Sequence, residues 1–209
     1  MNLWPFITNF GDATLMLPGA LVVGLLLILG SGIRGALLWF GLFAGACALT
    51  AATKIAFFGW CIGNRELDFT GISGHSMQAA SVLPMLAWLL VSGRERHRLA
   101  FWLGAAAAVL VTYSRVRLGY HSLSEAIAGI ALGLAVATSC LRLLPAQAPL
   151  TPLQKLPLAL SLTLPLLLVQ HGERAPTHSL MQALGTLAAG RGHPYSRADL
   201  HAPSYLSIN

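Results

Sequence analysis

Residues 104–138 read GAAAAVLVTYSRVRLGYHSLSEAIAGIALGLAVAT. Two uncharged apolar runs flank a junction that carries Ser114, Arg115, Arg117, His121 and Glu125. A hydrocarbon core of ~30 Å takes roughly 20 apolar residues to cross as a helix. The stretch therefore predicts two spanning helices joined at a bilayer surface, with a cluster of chemically active side chains at the join. Ionisable groups at that depth are costly to hold and tend to be kept for function.

Outward from this junction the same pattern repeats. Of the 209 residues, 56% are hydrophobic and 10% charged, and the mean hydropathy is +0.68, far from an ordinary soluble domain. Apolar runs at 14–29, 35–60, 75–91, 99–113, 121–141 and 153–170 predict an all-α polytopic membrane protein, a bundle of about six transmembrane helices. Pro157 and Pro165 interrupt the sixth run, so a kinked or partly interfacial helix is expected there. The first run has no basic segment before it and is expected to be retained as a helix. Residues 1–172 are expected to form the transmembrane domain and residues 173–209 a polar C-terminal tail, flexible or interfacial. Cys47, Cys61 and Cys140 are scattered and form no disulfide framework.

Short loops on the cytoplasmic side of membrane proteins are rich in Lys and Arg. Six spans would collect Arg34, Arg94, Arg96, Arg98, Arg142 and Lys155 on one side, and Lys54, Arg65, Arg115 and Arg117 with the histidines on the other. The expected setting is thus the cell (inner) membrane, with the histidines facing the periplasm or exterior. The net charge of +6 is spread over loops with no aromatic-interleaved basic stripe, which points to membrane lipids and phosphate rather than nucleic acid as anionic partners.

The residues at the surface suggest their chemistry. His121 and Glu125 are four apart and share a helix face. The carboxylate can take one ring N–H, fix the tautomer and leave the other nitrogen as a nucleophile. A second string, Ser73-Gly74-His75, opens the third run, where unpaired backbone N–H groups favour an anion. His75 is placed there to protonate a leaving oxygen. Arg115 offers a planar fork, Lys54 a point charge, and Ser73 and the Gly74 N–H neutral donors. Phosphoryl transfer needs chiefly such positioning and charge neutralisation. The sequence contains no acidic metal cage, so neither a metal nor another cofactor is expected.

These strings resemble the type 2 phosphatidic acid phosphatase superfamily of integral-membrane lipid phosphatases. Its signatures run Lys, six residues, Arg-Pro; then Pro-Ser-Gly-His; then Ser-Arg, five residues, His, three residues, Asp. Ser114, Arg115 and His121 match the third, with Glu125 in place of aspartate. Ser73, Gly74 and His75 match the second, with Ile72 in place of proline. The first is reduced to Lys54, since Cys61 and Ile62 hold the Arg-Pro positions, and Arg65 is the nearest replacement. The resemblance implies His121 as nucleophile, Glu125 as its orienting partner and His75 as general acid. It implies Lys54, Ser73, Gly74, Ser114 and Arg115, with Arg65, as the phosphate cradle. The implied reaction is metal-independent hydrolysis of a lipid phosphate or pyrophosphate. Phosphatidic acid, phosphatidylglycerol phosphate, undecaprenyl pyrophosphate and phosphorylated lipid A are all chemically admissible.

Other readings compete. A phosphotransferase would use the same site with an acceptor in place of water. Gly71-Ile72-Ser73-Gly74 also reads as the Gly-x-Ser-Gly of rhomboid-like intramembrane serine proteases, with His121 as base, but this leaves Arg115, His75 and Lys54 without roles. A non-catalytic lipid-binding or transport protein would keep the pocket alone. Arg117 reads as a surface charge, and Arg94-Glu95-Arg96-His97-Arg98 as a cytoplasmic anchor. The histidines at 171, 178, 193 and 201 match no metal motif. Gly41-x3-Gly45 and Gly129-x3-Gly133 predict close helix contacts.

Overall fold

The computed structural model describes residues 3–91, 94–144, 148, 150–170 and 176–202. The side chains of Arg94 and Glu95, and all of His171, lie outside the described residues. The elements are α1 (Trp4–Asn9), α2 (Ala13–Trp60), α3 (Gly74–Leu90), α4 (Arg94–Arg117), α5 (Leu123–Leu143), α6 (Pro152–Leu160), α7 (Thr163–Gln170), α8 (Thr177–Ala188) and α9 (Arg197–His201). Among the described residues the β contact is an isolated bridge between Asn64 and Phe69.

Four segments are long and apolar enough to cross a bilayer: α2, 96–117 of α4, α5, and 152–169 across α6 and α7. The expected count of about six is not reached on length and composition, for two reasons. At 17 residues α3 is shorter than a full span, and the first two apolar runs join in the 48-residue α2. That helix is bent at Gly32, whose φ of 72° and ψ of −176° suit glycine alone.

The bend is a reversal. Trp39 Nε1 donates to the Ala20 carbonyl at 2.9 Å, whereas 19 residues of straight helix would separate them by about 28 Å. Phe40 likewise lies against Gly24. Residues 13–31 and 33–60 thus form a helical hairpin with Trp39 fully buried between its arms. The sixth run is broken, as its prolines predict: α6 ends at Leu160 and α7 begins at Thr163.

The short α3 is the axis of the bundle, packed against α2, α4 and α5. Its Met77, Ala79, Ala80, Val82 and Met85 are buried. Gly129 lets α5 close on α3, since a Cβ there would fall 2.7 Å from the Ser73 carbonyl oxygen, and Gly133 does the same one turn on. Gly41 and Gly45 face open space, so the expected contact at that pair is not made among the described residues. Spacing alone does not say which face a glycine pair occupies. Outward lie Leu21, Leu25, Leu99, Trp102, Leu103 and Leu110, an apolar surface suited to lipid.

One group of basic residues lies at the end of α3 opposite His75. Lys155 Nζ reaches the Leu90 and Val91 carbonyls at the end of α3, at 3.3 and 2.9 Å, a cation capping a helix C-terminus. Arg98 and Arg142 line one cleft with Trp88.

Candidate active site

The turn between α4 and α5 brings the third string together. Gly119 takes φ 71°, and the Tyr120 N–H reaches back to the Arg115 carbonyl at 3.0 Å, a glycine-closed helix end. The chain reverses, so Arg115 and His121 face the same space. Arg115 is held by the Tyr120 ring, 4.4 Å from its centroid, and donates to Thr8 Oγ1 at 3.4 Å.

Ser122 then caps α5 in a reciprocal box: its hydroxyl accepts the Glu125 N–H at 3.4 Å and Glu125 Oε2 accepts the Ser122 N–H at 3.3 Å. This arrangement favours glutamate three residues after the cap, and it gives Glu125 a second task besides His121. Fully buried, the carboxylate takes His121 Nδ1–H on Oε2 at 2.7 Å. Its Oε1 takes the Thr70 N–H and Arg197, each at 2.8 Å, together with the Thr70 hydroxyl.

The second string is assembled by the connector 61–73. Gly71, at φ 130°, passes so close to α2 that a Cβ would sit 3.0 Å from Lys54 Cγ. Ile72 N–H donates to Thr53 Oγ1 at 3.1 Å, and Ser73 N–H to the Glu125 carbonyl at 3.2 Å. These contacts fix the start of α3 between Lys54 and Glu125.

A cavity of about 600 Å³ opens here, and Lys54, Gly74, His75, Arg115 and His121 all line it. Four elements thus bring two imidazoles, two cations and a helix start to one space. The remaining expected residues lie elsewhere. Ser73 is fully buried and off the wall, its hydroxyl accepting the Ser76 N–H at 3.4 Å and bonded to the Ser76 hydroxyl at 2.9 Å. Ser114 is also fully buried and donates to the Val111 carbonyl at 2.6 Å. Arg65 sits in the turn that ends at Phe69 and does not line the cavity. A serine nucleophile at Ser73, as the protease reading requires, is spent on capping α3.

Three groups escaped the sequence reading. Asp12, the cap of α2, faces His75 Nε2 at 3.4 Å and accepts the Thr14 N–H at 2.9 Å. Burial pushes this carboxyl up, but its hydrogen bonds to His75 and Thr14 prevail and hold it well below the usual carboxylate range. Arg197 arrives from α9, and His178 of α8 lines the cavity. Nothing local in the sequence links positions 12 or 197 to a histidine. His121, just outside α5, is pushed down to about 4. Burial is the main cause, the Glu125 hydrogen bond opposes it, and the charges of Lys54 and Arg115 add to it. Its ring is neutral at neutral pH.

The PAP2 superfamily model matches residues 59–149, which hold the second and third strings. Residues 59–149 belong to the PAP2 superfamily. The chain is 36% identical to the "uncharacterized 22.5 kDa protein in cps region" of Klebsiella pneumoniae, over 97% of this chain and 99% of that protein. It is 38% identical to phosphatidylglycerophosphatase B of Bacillus subtilis (strain 168) over 73 residues, 33% of this chain and 36% of that one. No solved structure matches the chain. The PAP2 match stops short of Asp12, Lys54, His178 and Arg197, so part of the cavity wall is built from outside it. PAP2 membership and the second relative support a phosphatase, and the apolar helices a membrane protein.

Proposed function

We propose that this PAP2 protein removes phosphate from a lipid phosphomonoester or pyrophosphate through a phosphohistidine at His121. The observation that carries the reading is the convergence of His75, His121, Lys54 and Arg115 on one cavity, with Glu125 on the far side of the His121 ring. Glu125 accepts from Nδ1, so Nε2 carries the lone pair that attacks phosphorus. The bond from phosphorus to the lipid oxygen breaks, and that oxygen takes a proton from His75. Water then attacks the phosphohistidine, gives its proton back to His75, and releases phosphate with His121 restored. Lys54, Arg115 and the Gly74 N–H neutralise the phosphoryl oxygens, while Ser73 and Ser114 brace the helices that carry them.

The cavity's apolar wall, with Leu17 and Cys47 from the two arms of the α2 hairpin, suits a lipid chain. Counting those arms separately, and α3 as well although it is shorter than a full span, would give six crossings. With the basic ends inside, the cavity faces the periplasm or exterior of the inner membrane. Phosphatidylglycerol phosphate is the first substrate to try, given the name of the Bacillus relative.

The test is phosphate release by purified protein from a panel of lipid phosphates with chelator present, alongside His121→Ala and His75→Ala. Release by the parent that persists in His121→Ala would remove the mechanism. Loss of release with chelator would remove its independence of metal.

A further inference from the structure

The C-terminal segment is docked on the site. A Cβ on Gly185 of α8 would lie 2.8 Å from Phe58 Cβ, the Tyr195 N–H donates to the Phe58 carbonyl at 3.0 Å, and Leu200 is fully buried with Phe57, Phe58 and Cys61. Cys61 holds the position where the first family signature carries arginine, so apolar packing replaces a guanidinium there. Another guanidinium returns by a different route. Arg197 donates one nitrogen to Glu125 Oε1 at 2.8 Å and the other to the Asp68 carbonyl at 2.9 Å and to the Asp68 carboxylate. His201 Nε2 meets the same Asp68 at 2.8 Å.

We propose that Arg197 is a positioning residue for the His121–Glu125 pair, and that residues 176–202 are a working wall of the active site. Both terminal nitrogens of the fork are committed to carboxylates, so Arg197 acts through Glu125 and not on phosphate. It pins Oε1, which turns Oε2 toward His121, and it balances a carboxylate with no solvent exposure. Without that balance the carboxylate draws a proton onto the His121 ring, and a protonated ring cannot attack phosphorus. The charged and titratable groups facing His121 are Lys54 of α2, His75 of α3, Arg115 of α4, Glu125 of α5, His178 of α8 and Arg197, with Asp68 behind. Arg197→Gln removes one cation from this set and leaves the rest in place.

The kinetic arm of the test rests on the catalytic reading of His121; the titration arm does not. Full-length protein in detergent, with ring-labelled histidine, is titrated by NMR as wild type, Arg197→Gln and Arg197→Lys. The His121 midpoint is expected to rise by about half a pH unit or more in Arg197→Gln and to stay near wild type in Arg197→Lys. On a lipid phosphate, kcat is expected to fall about tenfold or more in Arg197→Gln with KM little changed, and its acid limb to move with the NMR midpoint. Coincident His121 titrations in wild type and a folded Arg197→Gln would overturn the proposal. Should Arg197→Gln fail to fold, Arg197→Lys decides: it keeps the charge and loses the fork, so a lowered kcat supports the proposal and a wild-type kcat refutes it. If wild type releases no phosphate, the proposed function fails, while the titrations still decide the role of Arg197.

Discussion

His121 and His75 each face a carboxylate, but they reach it by different routes. Glu125 is one helical turn from His121, pairs with it at 2.7 Å and is itself held by Thr70, Ser122 and Arg197. Asp12 comes from a distant part of the sequence, stands 3.4 Å from His75 and also caps α2. One pair is local and heavily braced, as a nucleophile needs to be. The other exists only because the turn from α1 into α2 meets the start of α3, and it leaves the ring more open, at 22% side-chain exposure against 11% for His121. A group that passes a proton to and fro gains from that access.

The largest expected effect lies at the nucleophile. His121→Gln should lower kcat by about 10⁴-fold, and the wild-type rate profile should carry the sign of a neutral nucleophile. Because burial and the nearby cations disfavour the imidazolium, the reactive form persists as pH falls, and activity is lost only on passing about 4 instead of near the ordinary histidine value of ~6.5. A kcat/KM profile that breaks near 6.5 would separate His121 from the rate-determining group.

Glu125→Asp tests whether the bracing is tuned to the longer side chain. Aspartate withdraws the carboxylate from the Ser122 N–H, from Thr70 and from Arg197 at once, so kcat should fall by about 10–100-fold even though aspartate is the usual residue of the family signature. Unchanged or faster turnover would show that the extra methylene is tolerated and not used.

Asp12→Asn separates the two tasks of the other carboxylate. Asparagine caps a helix about as well as aspartate, so the thermal midpoint should hold, while loss of the charge facing His75 should lower kcat roughly tenfold. A full rate would make Asp12 a cap and nothing more, and the likeness between the two pairs would end there.

What could be read in advance follows the same division. The apolar runs, the His121–Glu125 pair and the start of α3 are local, so periodicity and spacing reveal them. The break in the sixth run follows from its prolines, and the gap at 30–34 marked the place where α2 reverses. The contacts of Asp12 and Arg197 join residues far apart in the sequence, and no local pattern announces them. Gly41-x3-Gly45 and Gly129-x3-Gly133 have the same spacing, yet only the second presses against a neighbour, because the facing helix is set by tertiary packing. The capping box of Ser122 and Glu125 emerged only with the fold, and it favours glutamate at this position.

Ser73 shows where motif and geometry part. The string Ser73-Gly74-His75 makes the hydroxyl a candidate phosphate donor, but in the fold it accepts the Ser76 N–H and is bonded to the Ser76 hydroxyl, with no exposure. A donor aimed at developing charge contributes about 10²–10³-fold to kcat, whereas a helix cap contributes about 1 kcal/mol to stability. Ser73→Ala therefore distinguishes the two. The geometry predicts a lowered thermal midpoint with kcat within about threefold of wild type, the smallest kinetic effect of the series. A loss of about a hundredfold with an unmoved midpoint would return Ser73 to the phosphate and require α3 to shift its first turn when substrate binds.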